Sequence, residues 1–310
     1  MSYHPIHDPE PHSSYPPTAA PRRTTMDPKR RMKLILAYTP DWCITIGLAG
    51  VFFALDKVPG FKREFSLQDT SIRHTFAVQE RVPAWALYLI AIVAPLVLQP
   101  LINLISVRSW WDLHASTLGL ILSLSLTGAI TQFSKITVGR PRPDLIDRCQ
   151  PIASAADAAV GLSTVHICTQ IDQSILRDGW RSFPSGHSSL SFAGLGFLSF
   201  YLAGKVHLFD RRGHARKAWL AFAPLSGAAL VAISRTMDYR HHWQDVLVGS
   251  LLGLSIAYFT YRQYYPSLAS PQCEKPHSPP YKEDGESLLP IHQRPPSPRN
   301  IPLRDDRDTG

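Results

Sequence analysis

The chain has 310 residues, 45% hydrophobic and only 18% charged, and its 32 Lys and Arg against 24 Asp and Glu leave a net charge of +8. Four cysteines are too few for a disulfide-built secreted module, and the low charged fraction argues against an ordinary soluble enzyme. The near-zero mean hydropathy of −0.07 averages two unlike parts: 7 of the 27 prolines fall in residues 1–33 and 10 in residues 266–310, while the stretch between is strongly apolar.

Residues 1–33 read as a disordered, proline-rich tail carrying Arg22, Arg23, Lys29, Arg30, Arg31 and Lys33. The first apolar run, Leu34–Leu55, is marred only by Asp41. It begins after 33 polar residues, so the first span itself is expected to target the chain. No Asp, Glu, Lys or Arg interrupts the 26 residues between Arg81 and Arg108, the 22 between Asp112 and Lys135, or the 23 between Arg181 and Lys205. A bilayer core needs about 20 such residues of helix. Ala218–Ser234 and Val246–Tyr261 are shorter, at 17 and 16 residues, so their charged flanks are expected at headgroup depth. The expected fold is all-α: a polytopic membrane protein with six transmembrane helices in residues 34–265, followed by a disordered tail over 266–310.

Loop charge predicts the orientation. The basic N-terminal tail and the segment carrying Lys205, Arg211, Arg212, Arg216 and Lys217 face one side of a six-span chain. The excess of Lys and Arg makes that side cytosolic, with both termini there. The net charge therefore sets topology and does not mark a nucleic-acid surface. The loops 57–81, 135–182 and 235–245 then face the lumen or exterior.

Three polar clusters fall on that second side. The first runs from Lys135 through Arg140 to Arg142 and Pro143, at the exit of the third span; its cations suit an anion, or anchor a helix end. The second is Ser182-Phe183-Pro184-Ser185-Gly186-His187, at the entry to the fourth span. Ser185 reads as an N-cap, and Gly186 lets a phosphate approach the helix N-terminus, with His187 in the first turn. The third runs from Ser234-Arg235 through Arg240, His241 and His242 to Asp245. His241 and Asp245, four apart, share a face on a helix, so the carboxylate is expected to orient the imidazole; His242 points elsewhere. Cations, a helix N-terminus, a second histidine and an oriented nucleophile on one membrane face are the inventory for phosphoryl transfer through a covalent histidine.

Lys135-x6-Arg142-Pro143, Pro184-Ser185-Gly186-His187 and Ser234-Arg235-x5-His241-x3-Asp245 resemble, at every fixed position, the signature of the type-2 phosphatidic acid phosphatases. The wording around the motifs looks most like fungal diacylglycerol pyrophosphate/phosphatidate phosphatases. The resemblance covers roughly residues 34–265 and implies the helical-bundle core shared with vanadium haloperoxidases. It implies that His241 attacks phosphorus, that Asp245 orients it, and that His187 protonates the leaving oxygen. Lys135, Arg142, Arg235, Ser185 and the Gly186 N–H would hold the phosphate. It further implies no metal, Mg2+ included, and a membrane lipid phosphate as substrate, in an endomembrane, vacuolar or plasma membrane. A transporter or an inactive scaffold are the other readings; ionisable groups near midplane would favour the first, loss of a motif residue the second.

Arg140 and Arg240 read as helix-end anchors. Cys149 and Cys168 share one loop and are able to pair, Cys43 reads as packing, and Cys273 as an unpaired tail thiol. Ser270-Pro271, Ser278-Pro279 and Ser297-Pro298 offer sites to kinases, and Arg294–Arg299 offers an SH3-type ligand.

Overall fold

The computed structural model describes residues 28–210 and 212–278. Arg211, most of the N-terminal tail, and the C-terminal sites at Pro279, Ser297 and Arg294–Arg299 lie outside the described residues.

The described chain is helical. Its long elements are α1 (Pro28–Lys57), α4 (Trp110–Val138), α7 (Gly186–Lys205), α8 (Ala215–Met237) and α9 (Trp243–Tyr264). A further long helix is composite: α2 (Ala84–Tyr88) passes through a π turn at Leu89–Val93 into α3 (Ala94–Ile105). Two short helices, α5 (Leu145–Cys149) and α6 (Gln173–Asp178), lie in the loop between α4 and α7. Among the described residues β pairing is limited to the isolated bridges Phe65–Ser163 and Pro151–Cys168.

Among the described residues, four helices are long and apolar enough to cross a membrane: Leu36–Lys57, Ala84–Ile105, Trp110–Val138 and Ala215–Met237. The expected fourth and sixth spans form helices of 20 and 22 residues, α7 and α9, but fall short of that apolarity. For α7, its position in the bundle explains why. α7 packs against α4, α8 and α9, so most of its surface meets protein and not lipid. Ser188, Ser189, Ser191 and Ser199 are all buried along it. Inside the bundle their hydroxyls find partners: Ser189 Oγ pairs with Thr131 Oγ1 at 2.9 Å, and Ser199 Oγ donates to the Ala221 carbonyl. By contrast Ile44 is 59% exposed on α1, Ile105 83% on α3 and Trp219 77% on α8. A hydropathy count finds the lipid-facing helices and the buried but apolar α4, and misses α7, whose serines are satisfied inside the bundle.

Close approach depends on glycine. A Cβ on Gly194 would lie 1.9 Å from the Ala91 carbonyl oxygen, and one on Gly253 2.1 Å from that of Ser189. These two positions seat α7 against the α2–α3 helix and against α9. Leu118, Leu120, Phe197, Tyr201 and Tyr261 fill the core they enclose.

At one end of the bundle, loops 58–83 and 139–185 build a second small core from Phe65, Ile72, Leu145, Cys149, Leu176 and Trp180. A disulfide joins Cys149 to Cys168 there. At the opposite end the chain stays packed beyond residue 266. Cys273 is buried with its Sγ 3.4 Å from the Gly204 carbonyl oxygen, and Lys205 Nζ bonds the Glu274 carbonyl. The expected tail boundary at 266 is therefore too early: proline content foretold disorder, but Tyr265 and the residues after it dock on α4 and α7. Cys43 is exposed on α1, so it is not a packing residue.

Candidate active site

Each of the three sequence clusters ends a helix at the loop-covered face. Lys135 sits in the last turn of α4 and Arg142 in the linker after it; His187 lies in the first turn of α7; Arg235 lies in the last turn of α8, and His241 in the turn before α9. Side chains separated by 106 positions in the chain thus line one open cavity of about 660 Å3, together with Glu80 and Asp178.

His241 is 3% exposed and is held by its Nδ1, 2.7 Å from the Ser182 carbonyl oxygen. A carbonyl only accepts, so Nδ1 carries the proton and Nε2 keeps its lone pair. Burial, reinforced by the charges of Arg142, Arg235 and Lys135, pushes this imidazole well below its ordinary value, so it is neutral at pH 7. His187 is fixed in the same manner, its Nε2 3.0 Å from the Val82 carbonyl oxygen.

The cations differ in how they are held. Among the described residues Lys135 has no ion-pair partner, and its ammonium lies against the N-terminus of α7. A Cβ on Gly186 would stand 3.1 Å from Nζ, so the missing side chain makes that approach possible. The first N–H groups of α7 lack carbonyls a turn earlier and face the same region. Arg142 pairs with Asp178 at 2.7 Å and Arg235 with Glu80 at 2.9 Å. The Nε atoms of both arginines are buried without an acceptor. Burial alone would raise the Asp178 carboxyl, but Arg142, Arg148, Lys135 and Arg240 outweigh it and hold it well below the usual carboxylate range.

Ser185, Gly186 and Asp245 stand behind the cavity and do not line it. Ser185 is buried and caps α7, accepting from Ser188 N at 3.4 Å, while its own N–H bonds the Asp245 carbonyl at 3.0 Å. The expected pairing of Asp245 with His241 is replaced by a longer path. α9 starts at Trp243 with His242 as its N-cap, so His241 lies outside the helix and the four-residue spacing puts no common face under the pair. Asp245, fully buried, instead accepts from Ser182 Oγ at 2.5 Å, Arg140 at 2.6 Å and the His242 backbone N–H at 3.1 Å. The route to His241 runs from Asp245 to the Ser182 side chain and from the Ser182 carbonyl to the imidazole.

Arg140 and Arg240 are not simple helix-end anchors. Arg140 neutralises Asp245, and Arg240 bonds Glu80 at 2.9 Å and the Ala77 carbonyl at 2.8 Å. His242 lines a separate cavity of about 290 Å3 beside Arg63 and Arg140. The residues the sequence reading missed are Glu80, Asp178 and the role of Ser182. Ser182 opens the second cluster and was within reach; isolated acidic residues in extramembrane loops carry no local signal.

The sequence pattern of the PAP2 superfamily matches residues 116–268, which contain every one of these motif residues. The chain is 41% identical over 239 residues to lipid phosphate phosphatase 2 of Arabidopsis thaliana, covering 77% of this chain and 81% of that one. It is 40% identical over 243 residues to the probable diacylglycerol pyrophosphate phosphatase 1 of Schizosaccharomyces pombe, covering 77% and 85%. With diacylglycerol pyrophosphate phosphatase 1 of Saccharomyces cerevisiae the identity is 38% over 252 residues, covering 79% and 86%. No solved structure matches. A helical bundle with apolar outer helices, the three motifs converging on one cavity, and relatives aligned over most of their length lead to one assignment: this chain is a membrane protein of the PAP2 superfamily.

Proposed function

We propose that the protein is a lipid phosphate phosphatase that hydrolyses phosphatidate, diacylglycerol pyrophosphate or both through a phosphohistidine, without Mg2+. The observation that carries this reading is the neutral His241, protonated on Nδ1 by the Ser182 carbonyl's demand, beside Lys135, Arg142 and Arg235 in one cavity. Nε2 of His241 attacks phosphorus, the N–P bond forms and the P–O bond to the lipid breaks. The leaving oxygen takes a proton from Nδ1 of His187 in its imidazolium form, which the negative charge of the bound phosphate favours, while Val82 holds Nε2–H. Water then attacks the phosphohistidine, gives its proton back to His187, and the N–P bond breaks to release phosphate.

Lys135, Arg142, Arg235 and the α7 N-terminus balance the charge on the three phosphoryl oxygens through both steps, the task a metal performs in other phosphoryl-transfer sites. Ser185 and Gly186 contribute through the helix terminus they shape, and Asp245 by positioning. The cavity lies at the ends of membrane helices, so a lipid headgroup reaches it while its acyl chains stay among the apolar outer faces. Basic residues Lys205, Arg212, Arg216 and Lys217 gather at the other end, which supports a lumenal or exterior active site with cytosolic termini. The relatives' names support the choice of lipid phosphates.

Purified protein in detergent and EDTA is expected to release phosphate from phosphatidate, and His241→Ala to abolish release. Undiminished turnover in His241→Ala would overturn the mechanism.

A further inference from the structure

Two guanidiniums converge on one carboxylate at the edge of the cavity. Glu80 places Oε2 2.9 Å from Arg235 Nη1 and Oε1 2.9 Å from Arg240 Nη2. Arg235 belongs to the clamp around His241, whereas Arg240 stands one layer behind Glu80, 5% exposed and outside the cavity lining. A carboxylate bridging two guanidiniums presents two anionic oxygens with nearly the spacing of a phosphate edge, so the pair is built to receive either. The site is not saturated: Arg235 Nε and Arg240 Nε are both buried with no acceptor.

Glu80 is also placed to leave. Its side chain is 23% exposed and faces the open cavity. The backbone around it is pinned by other groups: the Arg81 N–H bonds Asp238 Oδ2 at 2.9 Å, and Arg240 bonds the Ala77 carbonyl. Rotation of one side chain therefore vacates the arginine pair without moving the loop.

We propose that Glu80 fills, in the empty enzyme, a second phosphate subsite made by Arg235 and Arg240, and so decides between diphosphate and monophosphate headgroups. A lipid diphosphate puts its terminal phosphorus at His241 and its inner phosphate on Arg235 and Arg240, turning Glu80 out toward solvent. Nε2 then bonds the terminal phosphorus, the anhydride P–O bond breaks, and the lipid monophosphate leaves with the bridging oxygen. A monophosphate occupies the clamp alone and leaves Glu80 in place. Glu80 is a specificity residue on this account, and the account rests on the phosphohistidine reading above.

The test uses the full-length protein in detergent, with inorganic phosphate and inorganic pyrophosphate as competitive inhibitors of phosphatidate hydrolysis. In Glu80→Gln, the ratio of the pyrophosphate Ki to the phosphate Ki should fall about tenfold, the scale of one charge-assisted contact made available to the ligand. In Arg240→Gln the same ratio should rise severalfold. Where a variant loses turnover, the two anions are titrated calorimetrically into it, and the ratio is read from the Kd values. A ratio that stays at the wild-type value in both variants, or moves opposite to these directions in either, overturns the subsite. An inactive wild type, or an active His241→Ala, would instead sink the reading beneath it; active wild type with unmoved ratios sinks only the role of Glu80.

Discussion

The path from Asp245 to His241 is the sharpest departure from expectation, and a pair of substitutions tests it. Ser182 Oγ donates to the fully buried Asp245 at 2.5 Å, and the carbonyl of the same residue receives His241 Nδ1 at 2.7 Å. A hydrogen bond to a charged group contributes about 1.5–3 kcal/mol. If all of it holds the carbonyl in place, Ser182→Ala lowers kcat/KM by about tenfold to a hundredfold, at 1.4 kcal/mol per factor of ten. Asp245→Asn does more, because it also leaves Arg140 facing an uncharged group. Removing one partner of a buried pair costs about 3–5 kcal/mol, which should be visible as a lower melting temperature. Since both substitutions break one chain of contacts, the double variant should match Asp245→Asn alone to within about twofold in kcat/KM. The assay is phosphate release from phosphatidate in mixed micelles for wild type, both singles and the double. Full activity in Ser182→Ala, or losses that multiply in the double variant, would refute the relay.

Three further outcomes follow from the geometry. His241 must be neutral to attack, and burial together with Arg142, Arg235 and Lys135 depresses its proton affinity; the acid limb of kcat/KM that it governs should lie below pH 6.5 and move to higher pH in Arg142→Gln, and a limb that stays or moves lower contradicts the assignment. The Cys149–Cys168 bridge closes a separation of 19 residues, so removing both thiols should cost about 3 kcal/mol in denaturant titrations. In sealed vesicles an impermeant reductant should open that bridge from the lumenal or exterior side, and opening from the cytosolic side alone would reverse the orientation.

The sequence by itself determined the class of the protein and picked out five of the side chains that line its cavity. Long uncharged runs admit only membrane helices, because an apolar stretch of 20 or more residues has no other solvent to face. The three clusters named Lys135, Arg142, His187, Arg235 and His241, since cations, histidines and a helix start carry their chemistry in residue type and local spacing. What it misjudged depended on neighbours far along the chain. Only the packed bundle shows that α7 is an inner helix, where its serines bond other helices and apolarity is not required. Only the start of α9 at Trp243 decides that Asp245 reaches His241 through Ser182, because helical spacing predicts a contact solely where both residues are helical. Glu80 and Asp178 become part of the site for the same reason. A lone carboxylate in a loop has no pattern to read, and its meaning comes from the arginine that tertiary structure sets against it.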